Sequence, residues 1–94
     1  MGMTSARKLR EIVSNTRVVL AVELLCAAQA REFLEPGLRC GRGAEAVHAC
    51  LRRVVPALDD DRYLADDIRA ARDLIRTGTL VRDVELALDH PLSA

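Results

Sequence analysis

The chain has 94 residues, half of them hydrophobic but only two aromatic, with fourteen basic and fourteen acidic side chains that cancel. One domain at most fits in that length, and a small domain buries only about 60% of the surface its unfolded chain exposes. Zero net charge leaves no field to gather nucleic acid or an anionic membrane, and three widely spaced cysteines suit a reducing cytoplasm better than a disulfide framework.

The first segment, from about Thr4 to Leu34, runs without proline or glycine and predicts one long helix, with Thr4 or Ser5 as its cap and Pro36-Gly37 as its stop. Leu9, Ile12, Val13, Thr16, Leu20, Glu23 and Ala27 recur at the spacing of one helix face. Within it, Val18 to Ala30 (VVLAVELLCAAQA) is apolar on every side except for Glu23 and Gln29. A helix apolar all round is buried all round. The stretch is shorter than the roughly 20 apolar residues of a membrane span, and Glu23 interrupts it. No secretory signal is expected, since the stretch begins behind charged residues and lacks a small-residue cleavage site. About 31 residues at 1.5 Å each make a rod of about 45 Å, longer than a compact domain of this size is wide. The chain therefore reads as a piece of something larger.

Glu35 to Gly43 (EPGLRCGRG) reads as a loop. A second helix is expected from Ala44 to Val55, ended by Pro56, with Val47, Leu51, Val54 and Val55 on its buried side. After the acidic turn Asp59–Asp61, a third helix is expected from Ala65 to Thr77, where Leu64, Ile68, Ala71 and Ile75 recur. Asp66 and Asp67 in its first turn and Arg76 in its last suit the helix dipole. Gly78 is placed to end it. Thr79 is placed to cap a last short helix through Leu88, before Pro91. No segment alternates like a strand. The fold class expected is all-α, a single helical segment over residues 1–94.

Little of the sequence offers chemistry. Cys40, His48 and Cys50 are spaced C-x7-H-x-C, without the paired ligands of a structural zinc site, so no metal site is expected. A calcium loop starting at Asp59 would need glycine sixth and glutamate twelfth, but Leu64 and Ala70 stand there. The serines, Ser5, Ser14 and Ser93, have no base at an informative spacing. Gly41-Arg42-Gly43 does not follow a strand and is no phosphate loop. Arg52-Arg53 has no aromatic platform or wider basic face for nucleic acid. The polar residues of interest are Glu23, Gln29 and Asn15, expected to be buried and to bond neighbouring helices or backbone. A carboxylate in an apolar helix is costly unless paired.

In order, MGMTSARKLREIVSNTRVVLAVELLCAAQAREF, RRVVPALDDDRYLADDI and LIRTGTLVRDVE resemble the C-terminal part of histidine ammonia-lyase, of the aromatic amino acid ammonia-lyase family. The family's motifs fall on Ala6–Leu9, Asn15, Val19–Glu23, Ala27–Gln29 and Val55–Ile68, and Glu35–Gly43 is the part least alike. The resemblance implies a helical homotetramer whose long parallel helices pack in a central bundle. It also implies elimination of ammonia from an aromatic amino acid, histidine giving urocanate. The electrophile is a methylidene-imidazolone made from an internal Ala-Ser-Gly, with a loop tyrosine as base. This chain contains no Ala-Ser-Gly, and its one tyrosine, Tyr63, matches no catalytic position. By the resemblance, the family's last active-site glutamate lies before Met1. No catalytic or cofactor-binding residue is thus expected here, and the isolated chain is expected to be inactive. Its expected partners are the remainder of a lyase subunit, other copies of itself, or both. The alternative is a free-standing helical self-association module.

Overall fold

The computed structural model describes residues 2–35 and 37–92 and contains four helices: α1 (Gly2–Arg31), α2 (Arg42–Arg52), α3 (Ala65–Arg76) and α4 (Thr79–Leu88). Among the described residues there is no strand, so the chain is all-α as its periodicity predicts. Pro36, expected as a stop for the first helix, and Ser93 lie outside the described residues.

Helix boundaries shift by two or three residues, for local reasons. α1 starts at Gly2, so Thr4 and Ser5 lie inside it and cap nothing. Its end tightens: Glu32, Phe33 and Leu34 donate to the carbonyls of Gln29, Ala30 and Arg31 at 3.1, 3.1 and 3.2 Å. These i→i−3 bonds are the usual way a helix spends its last carbonyls, and they account for periodicity continuing to Leu34. α2 ends at Arg52, not at Val55. The expected buried Val54 is therefore half exposed, because the backbone has left the helical path by that point. Gly78, in the left-handed conformation (φ 77°), both follows α3 and caps α4. Thr79 is thus the first residue of α4 rather than its cap, and its hydroxyl lies 2.8 Å from that of Thr77.

α1 packs on α3, α2 on α4, and α3 on α4. The core is small: Ala21, Ala28, Leu51, Val55 and Ala71, surrounded by Leu24, Leu25, Ile68, Ala70, Leu74 and Ile75. Alanines at 21, 28 and 71 let the backbones of α1 and α3 come close, as ridge-into-groove packing allows when the contact residues are small. Arg53 pairs with Asp83 to tie the end of α2 to α4.

The molecule measures 55 × 38 × 17 Å with a radius of gyration of 15.4 Å, against about 12 Å for a compact domain of this length. The excess is α1. Every residue from Gly2 to Thr16 is exposed, so about 22 Å of helix projects beyond its own domain.

Candidate assembly surface

Only one side of α1 is used by this chain. Ala21, Leu24, Leu25 and Ala28, at helical spacing, face α3 and the core. The face picked out by periodicity, Leu9, Ile12, Val13, Thr16, Leu20, Glu23 and Ala27, lies roughly 120° around the helix from that side and is exposed at every position. Leu9 is 61% exposed, Ile12 60%, Val19 55% and Leu20 44%. Each such side chain leaves about 1.5–3 kcal/mol of burial unrealised. Apart from Thr16 and Glu23, the strip is apolar along about 27 Å of helix.

Asn15 and Glu23 lie on parts of α1 that this chain does not cover, and neither makes a side-chain hydrogen bond among the described residues. Gln29 is half-buried and fully used. Its Nε2 donates to the Leu58 carbonyl and its Oε1 accepts from the Leu58 amide, both at 3.1 Å. The amide thus pairs with a backbone unit as a strand neighbour would, pinning the segment after α2 to α1. Arg62 closes the same segment: Nε donates to Asp67 at 2.9 Å, Nη1 to the Ala57 carbonyl at 3.1 Å, and Nη2 to the Pro56 carbonyl at 2.7 Å. Replacing Gln29 by Ala strands both polar groups of Leu58. We expect it to lower stability by about 1–3 kcal/mol in denaturant melts, with Gln29→Glu no milder, because a carboxylate oxygen would replace the donor and face the Leu58 carbonyl.

A second set of contacts clamps the end of α1 to α2. Arg31 Nη2 donates to both oxygens of Glu45 at 3.0 Å, and the Cys40 amide donates to Glu45 Oε1 at 3.0 Å. Glu32 Oε1 lies 2.8 Å from His48 Nε2 and accepts from Arg52 Nε at 3.0 Å. The Arg31 and Cys40 bonds hold the Glu45 carboxyl below its ordinary value, and His48 with Arg52 does the same for Glu32; the Glu45 carboxylate raises Arg31. A carboxyl whose value is lowered by folding contributes stability above its unfolded value, near 4.5, and loses it as pH falls through the folded value. Acid titration followed by thermal melting should show a loss beginning below about pH 4.5 that is shallower in Glu45→Gln. Periodicity gives no sign of this clamp, because its partners lie 14 to 20 residues apart.

No other site emerges. Among the described residues no group of His, Cys, Asp and Glu could hold a metal ion. Cys26, Cys40 and Cys50 are free thiols, and Cys50 is buried. His48 belongs to the clamp, and Tyr63 stands 82% exposed. Among the described residues no helix is long and apolar enough to cross a membrane. What the geometry shows is an exposed face of α1 running from Leu9 to Ala27.

A four-helix segment with an over-long apolar first helix is thus the structural class. Residues 1–53 match the model of the aromatic amino acid lyases, and the chain belongs to that family. It is 49% identical over 92 residues to the histidine ammonia-lyase of Symbiobacterium thermophilum, covering 98% of this chain and 18% of that enzyme. Identity is 49% over 88 residues to the histidine ammonia-lyase of Sorangium cellulosum (94% and 17%) and 50% over 80 residues to that of Koribacter versatilis (85% and 15%). The chain spans less than a fifth of these relatives' length and corresponds to their C-terminal segment. No solved structure matches it.

Proposed function

We propose that this chain is the C-terminal scaffold and assembly segment of a histidine ammonia-lyase, the enzyme that eliminates ammonia from histidine to give urocanate. One observation carries the reading: α1 holds an uncovered apolar face from Leu9 to Ala27, in a chain whose relatives are about five times longer. The role is to extend α1 into the body of the enzyme, with α2 to α4 bracing its C-terminal half. The chain supplies no chemistry. It has no Ala-Ser-Gly from which a methylidene-imidazolone could form, so the family's electrophile does not fit the residues present. The three free thiols support a reducing, cytoplasmic setting.

A chimera tests this. The 92 matched residues of the Symbiobacterium thermophilum enzyme are replaced by the corresponding residues of this chain. The chimera is expected to assemble like its parent and to release urocanate from histidine at a rate within a few-fold of it. A chimera that folds and assembles but has lost turnover would show that this segment carries catalytic groups.

A further inference from the structure

The outward face of α1 follows a strict alternation of three- and four-residue steps: Ala6, Leu9, Val13, Thr16, Leu20, Glu23, Ala27, Ala30. All eight are exposed. This 3.5-residue repeat is the pattern of a seam that packs knobs-into-holes against a second long helix. Ala6, Val13, Leu20 and Ala27 form one row, and Leu9, Thr16, Glu23 and Ala30 the other. From Ala6 to Ala30 the seam is about 36 Å long.

Glu23 decides what can lie on it. A parallel, in-register copy of the chain would set two Glu23 carboxylates in one layer. An antiparallel copy at full overlap, centred on residue 18, would set Glu23 level with Val13, among Leu9, Ile12 and Thr16. Arg10 and Arg17 stand on the other flank of the seam, on the side where α1 meets α3, while the flank beside the Glu23 row carries Ser5, Ile12, Val19 and Cys26. A second copy in either of these two arrangements therefore buries Glu23 with no cation level with it, which is strongly unfavourable. On the C-terminal side of Glu23 the seam residues are small, Ala27 and Ala30, with Cys26 on the adjoining flank. They leave room beside the carboxylate for a long side chain from the facing helix.

We propose that the seam is heterotypic: its occupant is a long apolar helix from the portion of a lyase subunit outside this segment, carrying an arginine or lysine level with Glu23. This rests on the assembly role proposed above and adds the partner's chemistry and register. The four-fifths of the relatives' length that lies outside the match is the source of such a helix.

The test uses the chimera described above and, separately, this chain mixed with the Symbiobacterium thermophilum enzyme lacking its matched 92 residues. A photo-cross-linking residue at Leu20 should capture one helix of the larger part. Glu23→Arg should weaken binding at least 100-fold, Glu23→Gln much less, and changing the captured helix's basic residue to Glu should restore binding of Glu23→Arg. In the chimera, Glu23→Arg should cut the yield of assembled enzyme in the same order. Cross-links to a second copy of this chain, or wild-type binding and assembly by Glu23→Arg, would overturn the proposal while leaving the assembly role standing. A wild-type chain that neither binds the larger part nor supports the chimera would remove both.

Discussion

Leu20→Asp should dismantle the assembled enzyme while barely disturbing the isolated chain. In this chain Leu20 is 44% exposed and lies off the core, and surface substitutions of that kind usually stay within about 0.5 kcal/mol. In the chimera the proposed seam would set the same side chain against another helix. There the substitution removes an apolar contact and buries an unpaired carboxylate, a combined cost of about 3–5 kcal/mol. Thermal melts of the two proteins, with sedimentation of the chimera, give the comparison. Similar losses in both would mean that Leu20 belongs to the chain's own core. No loss in either would mean that the seam is not an interface.

The second large effect is an absence. The purified chain should give no urocanate from histidine, and no product from other aromatic amino acids, at protein concentrations far above those used for a lyase. The expectation follows from the proposed scaffold role: its 94 residues contain no Ala-Ser-Gly, and several of its polar groups are engaged in structure. Glu32 and Glu45 are committed to the α1–α2 clamp, Gln29 to Leu58, and Arg62 to the connection before α3. Reproducible turnover that scales with the chain and survives further purification would contradict the scaffold reading.

Fold class and the number and order of helices were legible because helical periodicity is a local signal, read within a dozen residues. Helix ends were less so. They depend on capping and on the tightening of the last turn, which moved the end of α1 from Leu34 to Arg31 and turned Thr79 from a cap into the first residue of α4. The apolar face of α1 was legible, but its direction was not. Leu9, Val13 and Leu20 follow the helical period as well as Ala21, Leu24 and Ala28 do, and only the tertiary contact with α3 shows which set turns inward. Gln29 could be singled out as a polar residue in an apolar run, whereas its partner, the Leu58 backbone, carries no sequence signature. The Arg31–Glu45 and Glu32–Arg52 pairs were invisible for a similar reason: ion pairs between elements follow no fixed spacing.

The most direct measurement is complementation in separate pieces. The Symbiobacterium thermophilum enzyme lacking its matched 92 residues is produced with and without this chain, and copurification and urocanate formation are recorded. The larger piece alone should be poorly soluble and inactive. With this chain present, the two should purify together and histidine turnover should return, and Leu20→Asp should abolish both. A larger piece that is fully active alone, or one that folds yet never binds this chain, would contradict the account.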